Sequence, residues 1–291
     1  MTHDHKFHVD DVFAAATLSL MMKKRNQPFK IIRTRDELVI KNADIVFDVG
    51  GIYDPTHYRF DHHQKEGAGT HQNGILYASF GLVWKHLGHE IVSNESVWQT
   101  IENSLVIPVD ANDTGFDLTT PKIYGITEYS IGQIINDVFQ EGINKDNQFG
   151  KAVEFTKVVL QKLIVKCLLK EEEKNAVVHA YEKSSDKRLI IIDEFVSRSS
   201  VWEAMMKYPE VLFAVYQGEN HDRWQLTAMR NKLDSFGNRK NLPVEWAGLR
   251  DDAFQKITNV PDAIFCHRDL FTSFAKSKEG AIRLAHLALE N

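Results

Sequence analysis

The spacing of apolar residues along the chain predicts an α/β protein. Apolar side chains recur every three or four positions over residues 9–24, which predicts a helix. Two apolar stretches, 29–34 and 43–49, predict strands, and Gly50 and Gly51 close the second, which is typical of a strand buried on both faces. Because helical stretches follow these strands, we expect a parallel sheet. The helical stretches are 74–88, 93–107 and 127–141.

A change of pattern near residue 185 predicts two domains. Residues 147–183 contain no proline and keep a helical rhythm, so we expect the first domain, 1–185, to end in a long connecting helix. Strands dominate the second domain, 186–291, before a closing helix at 277–290. We therefore expect a smaller α/β domain with a mixed sheet. Its predicted strands are 188–195, 211–217, 224–229 and 263–267.

Composition is that of an ordinary globular protein. Of the 291 residues, 43% are apolar and 26% are charged, which excludes wholesale disorder. The net charge of −5 disfavours a broad basic face for long duplex nucleic acid. The apolar run 12–22 is about half as long as a bilayer span, so we expect no membrane partner. Cys167 and Cys266 form no CxxC pair, which is typical of a reducing compartment and predicts a cytoplasmic protein.

Histidine and aspartate are concentrated in four short segments of the first domain. Nine of the 13 histidines precede residue 90. Each segment falls at the end of a predicted element, and the last belongs to a loop predicted after Pro108, containing Asp110 to Asp117. Because the carboxyl ends of parallel strands form one crevice, we expect the segments to meet. They are THDHKFHVDD (2–11), DVGG (48–51), RFDHHQ (59–64) and VDANDTG (109–115).

These residue types predict a metal site. Imidazole and carboxylate ligands without thiolates are typical of Mn²⁺, with Mg²⁺, Fe²⁺, Co²⁺ and Zn²⁺ as alternatives. Carboxylates can bridge ions, so at least three aspartates and two histidines favour two metals over one. Two such ions activate water for attack on phosphorus, which predicts a phosphate ester or anhydride as substrate.

The same segments resemble the DHH phosphoesterase superfamily, named for the triplet that stands here as Asp61-His62-His63. Within it, the chain is most similar to the melanocyte-proliferating-gene family, often labelled metal-dependent protein hydrolases. The resemblance implies a DHH-type metal-binding domain with a parallel sheet, followed by the smaller domain. It is carried by T-H-x-x-x-F-H-x-D-D (2–11), R-T-R-D (33–36), D-I-V-F-D-V-G-G-x-Y-D-P (44–55), R-F-D-H-H-Q (59–64), G-L-R-D-D-A (248–253), I-F-C-H (264–267) and E-G-A (279–281).

The resemblance also implies roles for individual residues. Asp48 would bridge the two metals, and of His62 and His63 one would be a ligand and the other would donate to the scissile phosphate. Asp110 and Asp113 compete for the fourth motif, and Asp110 is preferred because it directly follows a predicted helix. The implied metal ligands are His3, His8, Asp10, Asp48, Asp61, His62 and Asp110 or Asp113, and the implied catalytic residues are Asp48, His62 and His63.

The second domain departs from the related proteins at one signature. A G-G-H motif before the closing helix is common among them, whereas Ser273-Phe274-Ala275 stands here. We therefore expect Arg250 and His267 to contact the substrate. The alternative for each is structural, as an ion pair of Arg250 with Asp251 or as a hydrogen-bonded histidine at a strand end.

The function that the resemblance implies is metal-dependent phosphodiester hydrolysis, most simply 3′→5′ exonuclease activity on RNA. The acidic net charge favours short oligonucleotides or chain ends over long duplexes. Two alternatives stay open: a hydrolase of small phosphoanhydrides or cyclic dinucleotides, and a non-catalytic binding protein stabilised by metal. Peptide hydrolysis is disfavoured because the sequence contains no HExxH or nucleophile elbow. The oligomeric state is left open.

Overall fold

The computed structural model describes residues 1–119, 125–126, 128–142, 144–217 and 222–291. Contacts within these ranges group the chain into two units, Met1–Leu168 and Leu169–Asn291, here named unit 1 and unit 2. The hydrophobic pattern placed a domain boundary near residue 185, whereas the contacts divide the chain inside the long helix that precedes it.

Unit 1 is built mainly from helices. The predicted helices at 9–24 and 147–183 are confirmed, although the second begins slightly earlier. The stretch 127–141 contains a shorter helix, and residue 127 lies outside the described residues. In the described part of the chain no helix, including the 39-residue one, is long and apolar enough to cross a membrane. The helices are α1 (Val9–Lys24), α2 (Glu37–Lys41), α3 (Ser79–Ile91), α4 (Glu95–Ile101), α5 (Ile107–Asp113), α6 (Ile131–Phe139) and α7 (Lys145–Lys183), the last of which continues into unit 2.

Helices α4 and α5 are joined without a loop. A single π-helical turn, Glu102–Val106, links them, so the helix predicted over 93–107 continues further. The prediction of a loop was wrong from Asp110 to Asp113, which belong to α5. Pro108 lies in the first turn of α5, directly after the π-helical turn, so the continuous helix lacks one backbone N–H donor there.

The sheet of unit 1 is mixed, so the prediction of a parallel sheet was wrong. Its strands β1 (Val46–Phe47), β2 (Tyr53–Asp54) and β3 (Arg59–Phe60) lie in the order β1-β3-β2. Strand β3 is parallel to β1 and antiparallel to β2. The turn 55–58, in which Tyr58 is left-handed at φ 55°, joins β2 to β3, and so short a turn can only join antiparallel strands.

The strand predicted at 29–34 was also wrong. Within the described ranges that stretch contains only an isolated bridge between Thr2 and Arg33. Two bridged residues do not form a strand, so this segment does not join the three-stranded sheet of unit 1.

Helix α1 is the centre of the hydrophobic core of unit 1. All its residues from Val9 to Met21 are buried, and it packs against α3. Phe13 of α1 stacks on Phe80 of α3 with 5.1 Å between ring centroids. Because Asp10 and Asp11 form the first turn of this helix, two carboxylates enter the core with it.

Unit 2 contains a mixed sheet, as predicted, and this sheet has five strands. Strands β4 and β5 are parallel, and the other neighbouring pairs are antiparallel. The pattern predicted four of the strands and the last helix but not α8, α9 or β8. The strands are β4 (Leu189–Ile191), β5 (Phe213–Gln217), β6 (Trp224–Ala228), β7 (Ala263–Cys266) and β8 (Thr272–Ala275), in the order β4-β5-β6-β8-β7, and the helices are α8 (Arg198–Met205), α9 (Asp251–Thr258) and α10 (Lys278–Glu290).

The two faces of this sheet pack differently. One face places Leu226 and Ala275 in a cluster with Leu284 of α10. On the opposite face, Ala214 of β5 packs in a cluster with Val201 of α8. The side chains on that second face of β6 and β8 belong to neither cluster, and several of them are polar or aromatic.

Candidate metal centre

The amino end of α1 brings two carboxylates and an imidazole together. Asp10 and Asp11 lie in its first turn and are both 0% exposed, and His8 directly precedes the helix. The backbone N–H of His8 donates to Asp11 Oδ1 at 3.0 Å. The partial positive charge at a helix N-terminus stabilises carboxylates, which explains how two of them fold into a core.

Asp48 follows β1 and faces two histidines. Its Oδ2 lies 3.0 Å from His3 Nε2, and its Oδ1 lies 3.3 Å from His62 Nε2. The backbone of Asp48 is left-handed at φ 56°, a conformation that aspartate and asparagine adopt more readily than other non-glycine residues. Gly50 and Gly51 also have positive φ, so the DVGG segment is a tight turn that directs one carboxylate toward the histidines.

Asp61 orients the segment that carries His62 and His63. Its Oδ1 accepts from the backbone N–H of both histidines, at 2.8 and 3.2 Å, and lies 2.8 Å from His63 Nδ1. Its Oδ2 accepts from the backbone N–H of Gly51 at 2.6 Å. Donors of the chain thus occupy both oxygens, and Asp61 belongs to none of the metal-binding groups found among the described residues.

Three overlapping groups of side chains could each hold a metal ion. In each group, one ligand atom per residue lies within 4.8 Å of the others. Asp48 belongs to two of the groups, and so does His8. The structure therefore brings seven predicted site residues together. The groups are His3 with His8 and Asp48, Asp48 with His62 and His63, and His8 with Asp10 and Asp113.

Three buried atoms of the residues around the ligand groups form no hydrogen bond of good geometry in the described part of the chain. They are Asp10 Oδ1, Asp11 Oδ2 and His62 Nε2, although His62 Nε2 lies 3.3 Å from Asp48 Oδ1. Leaving such an atom buried and unpaired costs about 1–3 kcal/mol, more when it is charged. A carboxylate oxygen and an imidazole nitrogen are both ligands of divalent cations, so the donor set fits a bound metal.

The charges at the site are unbalanced around Asp10. Burial raises the pKa of Asp10 well above its usual value, and the carboxylates of Asp48 and Asp113 raise it further. Burial also opposes ionisation of Asp48, but the nearby imidazoles of His3 and His62 hold its pKa below the usual range. Burial alone would lower the pKa of His3, but Asp11 and Asp48 raise it to about 10. A cation near Asp10 would relieve the repulsion.

We expect Asp10→Asn to stabilise the metal-free protein. The amide removes a buried negative charge beside Asp48 and Asp113, and its oxygen can still accept from the backbone N–H of Ser79, 3.3 Å from Asp10 Oδ2. The gain should be about 1 kcal/mol or more, which corresponds to roughly 2–4 °C in Tm. Calorimetry in EDTA at pH 7.5 measures it, and titration with Mn²⁺ should show weaker binding by the variant. A variant that melts below the wild type in EDTA would contradict the claim that repulsion around Asp10 destabilises the metal-free protein.

Asp110 lies apart from the ligand groups, although it was the preferred candidate for the fourth motif. Its Oδ2 lies 2.8 Å from His71 Nε2, and its Oδ1 accepts from the backbone N–H of Gly81 at 3.0 Å. On the other side of the ring, His71 Nδ1 lies 2.8 Å from Glu102 Oε1. Asp113, at the end of α5, is the aspartate that approaches the ligands, with its Oδ2 3.5 Å from His62 Nε2.

Sequence reasoning missed several residues that support the site. Ser79 donates from Oγ to Asp48 Oδ1 at 3.2 Å, and nothing in the sequence marked it. Asp11 Oδ2 lies 3.2 Å from His3 Nε2, and its place beside Asp10 in the first segment was a signal not used. No role was assigned to His71, which is buried between two carboxylates.

Arg33 fixes the loop between His3 and His8. Its Nη2 donates to the carbonyl oxygen of His5 at 2.8 Å, and its Nη1 pairs with Asp146 at 2.9 Å. Only 2% of its side chain is exposed. His5 itself is left-handed at φ 64°, so the loop is bent where Arg33 holds it.

A cavity of about 610 Å³ opens beside the ligands. That volume is in the range of pockets for nucleotide-sized ligands. Lys6 and Arg35 add positive charge to its wall, and 63% of the Arg35 side chain is exposed. The candidate metal ligands and these two basic side chains thus line one cavity. Its lining also includes His3, His8, Asp48, Asp61 and His63.

Arg250 and His267 both lie in unit 2. Arg250 directly precedes α9, and its guanidinium carbon is 4.2 Å from the ring centroid of Phe265. Within the described ranges it forms no ion pair with Asp251. His267 follows β7, and its Nδ1 accepts from the backbone N–H of Asp269 at 3.1 Å.

Comparisons with known proteins place the chain in a family. A family model named MYG1_exonuc, described as Uncharacterised protein family (UPF0160), matches residues 1–289. A MYG1 protein of Chlamydia trachomatis is 32% identical, over 99% of this chain and 96% of its own. The human MYG1 exonuclease is 26% identical, over 99% of this chain and 85% of its own.

A solved structure, a pGpG-specific phosphodiesterase from Vibrio cholerae, is 14% identical over 99% of this chain and 96% of its own. Its TM-score of 0.31 is too low to indicate a shared fold. The family model and the bacterial relative are sufficient by themselves to assign the chain to a family. The chain belongs to the MYG1_exonuc family, which confirms the resemblance predicted from its motifs.

Proposed function

We propose that the protein is a phosphodiesterase that uses two divalent metal ions, preferably Mn²⁺, to remove nucleotides from the 3′ end of RNA or short oligonucleotides. Family membership already makes it an enzyme of the hydrolase class, and the proposal concerns its substrate and mechanism. The observation that carries the proposal is the position of Asp48. One carboxylate is shared by two groups of potential ligands, which is the arrangement that a bridged pair of ions requires.

The ligands come from the amino end of α1, the turn after β1, the DHH segment and α5. Bound metal ions supply Lewis-acid activation of water and charge neutralisation at a phosphodiester. The chain holds the ligands in place through Asp11, Ser79 and Asp61, whose polar contacts orient His3, Asp48 and the two DHH histidines. The ligands that we propose are His3, His8, Asp10, Asp48, His62 and Asp113.

His62 and His63 suit different tasks. His62 has 11% of its side chain exposed, and its Nε2 lies near the carboxylates of Asp48 and Asp113, which favours metal binding. The His63 side chain is 62% exposed, and its hydrogen bond to the Asp61 carboxylate raises its pKa. A protonated imidazole at this position can donate a hydrogen bond to a non-bridging phosphate oxygen while Asp61 holds the ring.

The cations of the cavity favour an anionic substrate. Lys6 and Arg35 are placed to bind a phosphate next to the scissile one, and a guanidinium can do so with two parallel hydrogen bonds. Asp61, held by four donors of the chain, serves as an orienting residue in this mechanism rather than as a ligand. Arg250 and His267 stay predicted substrate contacts of unit 2.

Release of mononucleotides from a short single-stranded RNA tests the proposal. We expect Mn²⁺-dependent release from the 3′ end, visible as stepwise shortening of a 5′-labelled strand, and no release in EDTA. A 3′-phosphorylated strand of the same sequence is the control for polarity, because an enzyme that starts at a 3′-hydroxyl should degrade it more slowly.

Two results would reject the proposal. Hydrolysis of pyrophosphate or a cyclic dinucleotide without release from RNA would indicate the small-substrate alternative. Full occupancy by metal in elemental analysis without hydrolysis of any of these substrates would indicate a non-catalytic metal site.

A further inference from the structure

A row of aromatic rings and arginines crosses the sheet of unit 2. In the register of the strands, Phe274 of β8 lies opposite Phe265 of β7 on one side and opposite Gln225 of β6 on the other. Cross-strand partners share one face, which is the face opposite α10. The two phenyl rings are almost parallel, at 8°, with 6.4 Å between their centroids.

An arginine lies against each of these rings. The guanidinium carbon of Arg223 is 4.8 Å from the centroid of Phe274, and that of Arg250 is 4.2 Å from the centroid of Phe265. The rings and the Arg223 side chain are half-buried, whereas Arg250 is exposed. Four flat groups therefore follow one another across β6, β8 and β7.

On the same face, a polar side chain of β6 connects the row to an arginine of α8. Gln225, with its amide oxygen toward Arg198, accepts from Nε and Nη2 of that guanidinium, both at 3.1 Å. The Arg198 guanidinium also lies 5.3 Å from the ring centroid of Phe271, the residue before β8. A third arginine is thus fixed on the same face by an amide rather than by a carboxylate.

Among the described residues, few carboxylates lie near the positive charges of this face. In the part of the chain that the structure describes, Arg198 and Arg250 have no carboxylate within 4 Å, and Arg223 has only Asp222, at 3.8 Å. Elsewhere in unit 2, arginine pairs closely, as Arg188 does with Asp186 at 2.7 Å. Guanidinium groups that have no close carboxylate among the described residues, placed beside flat apolar rings, complement a ligand that carries both planar rings and negative charge.

We propose that this face, defined by Phe265, Phe274, Arg198, Arg223 and Arg250, binds single-stranded nucleic acid. Bases stack on the phenyl and guanidinium planes, and phosphates contact the arginines, in the manner of sheet surfaces that bind single strands without reading sequence. An acidic peptide would satisfy the charges but has no planar groups to match the rings. The inference rests on the proposed function, since it gives unit 2 the task of holding the RNA strand.

The test measures binding without hydrolysis. Fluorescence anisotropy of a labelled oligoadenylate of about ten nucleotides is recorded in EDTA with the full chain. Loss of one stacking partner is expected to weaken binding about tenfold, or about 1.4 kcal/mol. The variants are Phe274→Leu and Arg250→Gln, and the matched control is Phe236→Leu, which removes a phenylalanine that is 93% exposed in the same unit.

Salt dependence separates the two contributions. Arg250→Gln should reduce the slope of log K against log salt by about 0.7, as expected for one lost phosphate contact on a single strand. Phe274→Leu should weaken binding with the slope unchanged. Because Arg250 is exposed, its variant remains informative even if the substitution in β8 reduces folding.

The outcomes distinguish this inference from the proposed function. If both variants bind the strand as tightly as Phe236→Leu while the wild type hydrolyses RNA, the binding face is rejected and the proposed function stands. If the variants lose binding but the wild type never hydrolyses RNA, the face stands and the proposed function fails. If the variants instead change only the oligomeric state in sedimentation, the face is an interface between copies of the chain, and the inference is overturned.

Discussion

Replacing Asp113 by Asn is expected to lower Mn²⁺-dependent hydrolysis by about 10³-fold and to leave the fold intact. Asp113 contributes one of the carboxylates near His8, Asp10 and His62, and a metal ligand supports several kcal/mol of transition-state stabilisation. Its side chain is 14% exposed and sits among like charges, so the neutral amide should not destabilise the protein. Rates under saturating Mn²⁺ and unfolding in urea measure the two effects.

Asp110→Asn is the matched control, three residues away on the same helix. Asp110 is fully buried, and burial raises its pKa to about 6, but hydrogen bonds from His71 and Gly81 favour its charged form. The substitution removes the charge that faces His71, which should cost about 3–5 kcal/mol in the free energy of unfolding. A stable but inactive Asp110→Asn protein, together with a fully active Asp113→Asn protein, would assign the ligand role to Asp110.

Gly81→Ala is expected to lower the free energy of unfolding by about 4 kcal/mol. This is a large effect for a substitution that adds one methyl group. A Cβ atom at Gly81 would lie 1.8 Å from Asp110 Oδ2 and 2.8 Å from Tyr77 Cδ1. The carboxylate cannot move away without losing His71, which is 2.8 Å from the same oxygen. The approach of α3 to α5 therefore requires a residue without a side chain.

Gly150→Ala, in the same unit, is expected to raise the free energy of unfolding instead of lowering it. Gly150 is an exposed position of α7, and a Cβ atom there would have no neighbour within 4 Å. Alanine should stabilise the helix by about 0.5–1 kcal/mol. Urea unfolding of both variants gives the comparison. A Gly81→Ala protein within about 1 kcal/mol of the wild type would show that Asp110 and its partners are not held rigidly.

The sequence was informative where the chemistry is local. His3, His8, Asp48 and His62 were predicted to meet because their segments lie at the ends of elements, and the structure groups Asp48 with His3 and His8 and also with His62. The resemblance to a family was confirmed by the comparisons. Helices α1 and α7 were predicted because each keeps its apolar spacing over many turns.

The sequence failed where a partner lies far away or an element is short. His71 gave no signal, because its role depends on Glu102 and Asp110, which are 31 and 39 residues distant. Strands β2 and β3 have two residues each, too few for an alternating pattern to be detected. The preference for Asp110 over Asp113 rested on a loop that is in fact helix α5. Pro108 favoured that loop, yet it lies in the first turn of α5, within a helix that continues from α4.

The π-helical turn between α4 and α5 determines in which direction the side chains of α5 point. A π turn carries one residue more than an α-helical turn, so the side chains after it are rotated by about 100° relative to an uninterrupted helix. Glu102, inside this turn, contacts His71 on one side of that offset, while Asp110 contacts the same ring from the other side. A single-residue deletion in 102–106 would therefore rotate the side chains of α5 about the helix axis. The sequence of the fourth motif would be unchanged, but Asp110 and Asp113 would point away from their partners.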